Sequence, residues 1–227
     1  MKLKHEVRAR QTLETITGLL NDGIQKISVI IRHSDRFFPQ EARMEPFMGL
    51  TEGGKSFALE LGKSLPGNPV PRLFSSTFGR CIETAYLIDK GYTQQHKTSV
   101  AHTVTSERLA PFYIKDIERA VHLVTAQGSE QFIRNWFDNK IDDDIMENPE
   151  KTSAVLSEYM IDRLKEIEDN QIAVCVSHDW NIFPLKEFKL GLAHEKKGDV
   201  GYLDGVAFYE NGGHYFATSF QCDPCPV

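Results

Sequence analysis

Short apolar runs rich in β-branched residues recur along the chain and predict the strands of a buried sheet. The clearest run covers residues 27–31, and it lacks the polar alternation of a strand with one exposed face. Near the C-terminus, Asn211-Gly212-Gly213 has the composition of a hairpin turn between two strands. The other candidate strands cover residues 72–74, 172–176, 206–209 and 214–218, with a further short one near residues 99–103.

Apolar residues at helical spacing lie between these strands. Phe57, Leu61 and Leu65 share one face of a helix predicted over residues 55–65, which Pro66-Gly67 follows. The alternation of strands and helices predicts an α/β sandwich with a largely parallel sheet. The other predicted helices cover residues 77–90 (ending at Gly91), residues 129–137 and 149–168, a stretch from about residue 181, and an amphipathic N-terminal segment that carries Val7, Leu13, Ile16 and Leu19.

The composition is that of an ordinary soluble domain with an acidic balance. The chain has 227 residues, of which 41% are hydrophobic, enough for one core, so we expect a single domain over residues 1–227. The formal net charge of -6 argues against a general nucleic-acid partner or an anionic membrane, since proteins that bind these usually carry a positive face.

Two further features of the sequence bear on location. No apolar run is long enough to cross a bilayer, and the charged N-terminal segment does not resemble a secretory signal. We therefore expect a cytoplasmic protein whose four cysteines are reduced thiols. Cys222 and Cys225 form a CxxC pair, which we expect to lie in a loosely ordered tail.

Polar and cationic residues follow three of the predicted strands. They are Arg-His-Ser-Asp-Arg at residues 32–36, Ser-Ser-Thr-Phe-Gly-Arg at residues 75–80, and Ser-His-Asp at residues 177–179. Ligands of open α/β sheets bind beyond the carboxyl ends of the strands, so these groups are expected to meet at one site. Arginine forks suit the oxygens of a phosphate dianion, and a neutral imidazole is a competent nucleophile near neutral pH. The residues therefore predict a phosphate-binding site that requires no metal.

The same residues form motifs that resemble those of the histidine phosphatase superfamily. Residues 32–36 look like its RHG signature, and with Pro39 they are similar to the RHGxRxP of the acid-phosphatase branch. Residues 50–62 resemble the LTxxG…LG stretch, residues 75–85 the SSxxxRxxxTA motif, and residues 177–182 the HDxNI motif. The motifs occur in the family's order, which is far more specific than any one of them alone.

The resemblance implies a phosphoglycerate mutase-like fold, a three-layer α/β/α sandwich. It also implies a phosphomonoesterase that uses a phosphohistidine intermediate and no cofactor or metal. The substrate would be a small phosphorylated metabolite, selected through a mainly helical insert at residues 92–170. His33 would be the nucleophile and Asp179 the general acid, and the phosphoryl oxygens would be held by Arg32, Arg36, Arg80 and His178.

Two departures from the family pattern and several alternatives stay open. Pro39 stands one residue later than the family's proline, because Phe37 and Phe38 both intervene. Ser34 stands where the family usually has glycine; we expect the site to survive, with the serine hydroxyl near the phosphate. Glu107, in Ser106-Glu107-Arg108, is a second candidate for the general acid because the mutase-like branch uses a glutamate in this context, although Asp179 is favoured. Phosphomutase activity and binding of phosphorylated ligands without turnover are the alternatives to a phosphatase. The sequence does not specify the oligomeric state.

Overall fold

The computed structural model describes residues 2–227, with side chains from Val7 onward except that of Ala42. Two 3₁₀ helices cover Ala42–Phe47 and Glu107–Leu109. The strands of the described chain are β1 (Ile27–Arg32), β2 (Val70–Ser75), β3 (Val104–Thr105), β4 (Gln171–Ser177), β5 (Gly205–Asn211), β6 (His214–Thr218) and β7 (Cys225–Pro226). The α-helices are α1 (Lys2–Asn21), α2 (Glu52–Ser64), α3 (Gly79–His96), α4 (Ile117–Gln127), α5 (Ser129–Phe137), α6 (Pro149–Glu166) and α7 (Asp179–Leu190).

The strands form one sheet in the order β3-β2-β4-β1-β5-β6-β7. The first four run parallel. The others are antiparallel: β5 pairs with β1, β6 with β5, and β7 with β6. In the pairing of β1 with β4, Arg32 at the end of β1 lies opposite Ser177 at the end of β4. Ser75 at the end of β2 lies opposite Val176. The carboxyl ends of β1, β2 and β4 therefore finish at the same level, side by side.

Apolar side chains cover both faces of this sheet. In β1, Ile27, Val29 and Ile31 pack in one core with residues of α1, α2 and α3. Ile30 points to the other core, which is built with residues of α4, α5, α6 and α7. A strand buried on both sides has no solvent face to make polar, which accounts for the continuous apolar run in the sequence. The three-layer α/β/α fold and its largely parallel centre are confirmed.

The beginning of α2 lies directly beside the turn that follows β1. Thr51 caps α2, since its hydroxyl oxygen accepts the N–H of Gly54 at 3.0 Å. The same hydroxyl donates to Asp35 at 2.8 Å. A Cβ at Gly54 would overlap the backbone carbonyl of Asp35, so only glycine allows this close approach. The contact fixes the turn that carries His33 against α2.

Several elements differ from what the sequence predicts. The strand expected near residues 99–103 lies instead at Val104–Thr105, and α4 was not predicted. Helix α3 continues through Gly91 to His96, because this glycine serves the packing of α3 against Leu59 of α2 rather than ending the helix. At the N-terminal end of α1, Val7 is 41% exposed and does not join the core as Ile16 does.

The C-terminal tail is also more ordered than expected. Ala217 of β6 pairs with Cys225 of β7, which makes the CxxC segment the edge of the sheet rather than a loose end. Cys222 and Cys225 are free thiols, as are the buried Cys81 and Cys175. Among residues 2–227, no helix combines the length and apolarity that crossing a bilayer requires.

Candidate active site

The sheet ladder continues for one residue beyond the ends of β1 and β2. The backbone N–H of His33 donates to the carbonyl of Ser177, and that of Ser76 donates to the carbonyl of Val176, both at 2.9 Å. These bonds hold His33, Ser76 and His178 next to one another at the carboxyl end of the parallel strands. This is where ligands of open α/β sheets bind.

Arg80, in the first turn of α3, connects the two histidines. Its Nε–H donates to His33 Nε2 at 3.0 Å, and its Nη2 donates to His178 Nδ1 at 3.2 Å. The ring centroids of His33 and His178 are 5.6 Å apart. His33, His178 and Arg80 are only 2%, 3% and 4% exposed. One buried guanidinium therefore spans both imidazoles.

The contacts of His33 define the roles of its two ring nitrogens. Nδ1 lies 2.7 Å from the carbonyl oxygen of Ser34, which can only accept, so Nδ1 carries the proton. Arg80 can only donate, so Nε2 presents its lone pair. The pKa of His33 is lowered well below its usual value, mainly by burial and to a lesser extent by the nearby His178 and Arg80. The neutral ring with a lone pair on Nε2 is the form that can attack phosphorus.

His178 is held neutral by its surroundings in the same way. Burial, and then the charges of Arg80 and Arg32, lower its pKa well below the usual value. Its Nε2 lies 2.9 Å from the hydroxyl oxygen of Ser76. Because Nδ1 accepts from Arg80, the neutral ring carries its proton on Nε2 and donates to Ser76. A hydroxyl can also donate, so Ser76 could equally bind the other tautomer, in which Nδ1 is the donor.

Arg32 is fixed between α7 and the loop before β5. Its Nη2 forms an ion pair with Asp179 Oδ2 at 2.8 Å, and its Nη1 donates to the carbonyl of Val200 at 2.9 Å. The guanidinium carbon stacks 4.2 Å from the centre of the Tyr202 ring. Asp179 begins α7, and its other oxygen accepts the N–H of Trp180. The predicted acid and the predicted phosphate ligand Arg32 therefore contact each other.

Arg36 is bound by a glutamate. Its two terminal nitrogens donate to the carboxylate of Glu45 at 2.8 and 2.5 Å. Its guanidinium carbon lies 4.2 Å from the centre of the Phe38 ring. The Nε donors of Arg32 and Arg36 are buried without a hydrogen-bond partner among the described residues.

Comparison with protein families agrees with this arrangement. A family model of the histidine phosphatase superfamily (branch 1) matches residues 28–187, more than half of the chain, and this stretch includes His33, Arg80 and His178. The chain belongs to the histidine phosphatase superfamily. The superfamily expected from the motifs is thus confirmed. The matching model describes branch 1, whereas the motifs were compared with the acid-phosphatase branch.

Solved structures of superfamily enzymes share the fold. Phosphoserine phosphatase from Entamoeba histolytica in complex with phosphoserine has a TM-score of 0.56 at 17% identity, covering 86% of this chain and 96% of its own. Phosphoglycerate mutase from Bacillus anthracis has a TM-score of 0.55 at 20% identity, covering 87% and 94%. Mycobacterial glucosyl-3-phosphoglycerate phosphatase has a TM-score of 0.57 at 15% identity, covering 87% and 99%. A comparison with curated protein sequences gives no match.

Glu107, the second candidate acid of this histidine phosphatase homologue, is not bonded to the other predicted residues in the described chain. It lies exposed in the 3₁₀ helix Glu107–Leu109, just beyond the carboxyl end of β3. Within the described chain its side chain makes no hydrogen bond or ion pair with the histidines or arginines. Asp179 is the candidate that the fold brings to Arg32.

Ser34 uses its hydroxyl away from the phosphate ligands. Its Oγ donates to the carbonyl of Gly54 in α2 at 2.7 Å, and its N–H donates to the hydroxyl of Thr84 in α3 at 3.1 Å. The side chain is fully buried. The serine hydroxyl, which we expected near the phosphate, instead donates its hydrogen bond to the Gly54 carbonyl.

Three contributors to the site were not predicted from the sequence. Ser76 lies within the motif at residues 75–85, so its motif position was an available signal. Glu45 lies in the 3₁₀ helix Ala42–Phe47 and Tyr202 in the loop before β5. Neither segment contains a recognised motif, and the roles of both residues depend on how the chain folds back. No sequence pattern indicated them.

Proposed function

We propose that the protein is a metal-independent phosphomonoesterase that transfers the phosphoryl group of a small metabolite to His33 and then to water. The observation that carries this proposal is the guanidinium of Arg80, which contacts both His33 Nε2 and His178 Nδ1. A cation shared by a neutral nucleophile and a second histidine is suited to a phosphoryl group bound between them.

In the first step, His33 Nε2 attacks phosphorus and the bond to the leaving oxygen breaks. Arg32, Arg36, Arg80 and His178 bind the phosphoryl oxygens and stabilise the charge of the transition state. Arg80 turns its donors from the rings to those oxygens. Asp179 acts as the general acid: it gives a proton to the leaving oxygen, which departs as the alcohol, and is left as the carboxylate.

In the second step, the Asp179 carboxylate takes a proton from a water molecule as its oxygen attacks phosphorus. The bond from phosphorus to His33 Nε2 breaks, and inorganic phosphate is released. The ring nitrogen recovers its lone pair, and Asp179 is again protonated for the next cycle. Atoms and protons therefore balance over the two steps.

Residues 92–170 form an insert that we assign to substrate selection. Its segment after β3 is attached to the site, since Tyr113 OH donates to Asn181 Oδ1 at 2.9 Å, two residues after Asp179. Ser177, next to His178, donates to the carbonyl of Leu109 at 2.7 Å. The leaving group of a bound substrate would extend towards this segment. Phosphoserine is bound by one protein of the same fold, which supports a small phosphorylated ligand.

The test is hydrolysis of p-nitrophenyl phosphate in excess EDTA by the wild type, His33→Ala and His122→Ala. His122 is an exposed histidine on α4, so its replacement controls for loss of an imidazole as such. We expect wild-type turnover to survive EDTA, His122→Ala to match it, and His33→Ala to lose at least about 1,000-fold. Turnover that is unaffected by His33→Ala would exclude the proposed nucleophile.

Phosphomutase activity is the second candidate, because phosphoglycerate mutase from Bacillus anthracis has the same fold and Glu107 occupies an ER dipeptide like that of the mutase-like branch. A mutase keeps its phosphoryl group from water. Sustained isomerisation that depends on a bisphosphorylated primer, with slow release of inorganic phosphate, would favour it. A folded protein that binds phosphate esters with no turnover would instead indicate a binding function.

A further inference from the structure

A loop that begins and ends beside the site brings a carboxylate into contact with two arginines of the site. The loop, residues 37–49, is closed at its base by a bridge between Arg36 and Leu50 and by the bond from Phe37 N–H to the carbonyl of Gly49 at 3.1 Å. At its middle, the 3₁₀ helix Ala42–Phe47 presents Glu45 to the pocket. We call residues 37–49 the Glu45 loop.

The Glu45 carboxylate is bound as an anionic ligand would be. It accepts both terminal nitrogens of Arg36, at 2.8 and 2.5 Å, and its Oε1 lies 3.6 Å from Nη2 of Arg80. The backbone carbonyl of the same residue accepts Nη1 of Arg80 at 2.7 Å. Two of the three arginines assigned to the phosphoryl group are thus engaged by one residue of the protein itself.

The rest of the Glu45 loop is weakly anchored by apolar packing. Phe37, Phe38 and Phe47 are 57%, 70% and 73% exposed. Withdrawal of the loop would therefore cost little buried apolar surface, and the bonds to Arg36 and Arg80 attach its middle to the site. A phosphate ester carries up to two negative charges and three acceptor oxygens, so it can replace those bonds.

We propose that Glu45 is an internal competitor for the phosphate site and that the Glu45 loop must leave the arginines before a ligand binds. This inference rests on the proposed function of the site. A carboxylate and a phosphate dianion cannot share the same forks, because like charges at contact distance repel. The observed affinity for any phosphate ligand is then the intrinsic affinity reduced by the fraction of molecules with the loop displaced. Glu45 sets that fraction.

The test is calorimetric titration of inorganic phosphate into the wild type, Glu45→Gln and Glu45→Ala at fixed pH and ionic strength. Neutral glutamine retains an acceptor oxygen for Arg36, whereas alanine removes it, so alanine gives the larger effect. We expect the dissociation constant for phosphate to fall by roughly tenfold in Glu45→Ala. Damage to the site would weaken binding, so tighter binding separates a competitor from a structural role.

Glu41→Gln is the matched control. Glu41 also belongs to the Glu45 loop, but its carboxylate pairs with the exposed Arg43 at 2.7 Å and not with the site. Its replacement should leave the dissociation constant unchanged. Equal phosphate affinity in the wild type and both Glu45 variants, or weaker binding in the variants, would overturn the competitor role alone. Absence of phosphate binding in every folded variant would overturn the proposed function and the competitor role together.

Discussion

At the scale of single residues, Ser34 fixes the position of the proposed nucleophile through all of its polar atoms. Its carbonyl accepts His33 Nδ1–H, its N–H donates to Thr84, and its hydroxyl donates to the carbonyl of Gly54. These bonds connect β1 to both α2 and α3. A serine at a position where glycine is usual therefore adds a tie between the nucleophile and two helices.

We predict that Ser34→Ala destabilises the protein, because it leaves the buried Gly54 carbonyl without its donor. The expected loss is about 1–3 kcal/mol in the free energy of unfolding, measured by urea denaturation. Thr125→Ala is the control: Thr125 makes a similar side-chain bond, to Val121 O at 2.8 Å, but on an exposed helix face. It should change stability by less than about 0.5 kcal/mol. Equal stability of Ser34→Ala and the wild type would show that the hydroxyl is dispensable.

At the scale of elements, α2 and α3 approach closely because glycines stand at their contact. A Cβ at Gly91 would overlap the carbonyl oxygen of Leu59, and one at Gly62 would overlap that of Ile88. Arg80 belongs to α3, and α2 begins beside the turn after His33. The spacing of these two helices therefore helps to set the distance between the guanidinium and the nucleophile.

We predict that Gly91→Ala destabilises the protein by at least about 1–3 kcal/mol, because the backbones of α2 and α3 must separate. Gly18 in α1 has nothing within 4 Å of the corresponding position, so Gly18→Ala should instead stabilise by about 0.5–1 kcal/mol through helix propensity. Thermal unfolding of the two variants measures both effects. A neutral or stabilising Gly91→Ala would contradict the close packing described for these helices.

The elements also illustrate what sequence patterns could and could not establish. Strands β1 and β4 were evident because both faces are buried, and α5 was predicted at its observed bounds. Local propensity predicts a helix end at Gly91, because it carries no information on the neighbouring helix against which this glycine packs. The strand predicted near residues 99–103 was misplaced because β3 has only two residues, Val104–Thr105, and its position is set by pairing with β2. The β7 edge strand likewise depends on pairing with β6.

At the scale of the whole molecule, an acidic protein gathers three arginines at one end of its parallel strands. The motifs predicted His33, His178 and Arg80, because their spacing along the chain follows the strand ends that the fold aligns. The remaining contacts, from Tyr202 and Glu45, come from segments that reach the site only through tertiary folding. Their positions could not be read from local sequence.

A buried ion pair joins distant parts of the chain behind the site. Lys186 of α7 and Asp204 before β5 are each 3% exposed in their side chains and lie 2.9 Å apart. Arg8 of α1 also contacts Asp204, at 3.2 Å. The Asp204 carbonyl accepts the N–H of Arg32 at 2.9 Å. This network connects α1, α7 and the loop before β5 to the strand that ends in Arg32.

The most direct test of the central claim is to trap the phosphorylated protein at about pH 5, below the ordinary pKa of histidine. The protein is mixed with p-nitrophenyl phosphate and quenched in alkali, and the modified peptide is located by mass spectrometry. Because burial lowers the pKa of His33, a larger fraction of its ring is neutral at this pH than for an ordinary histidine, and we predict an acid-labile phosphoryl group on His33. Release of p-nitrophenol with the phosphoryl group on another residue, or on none, would contradict it.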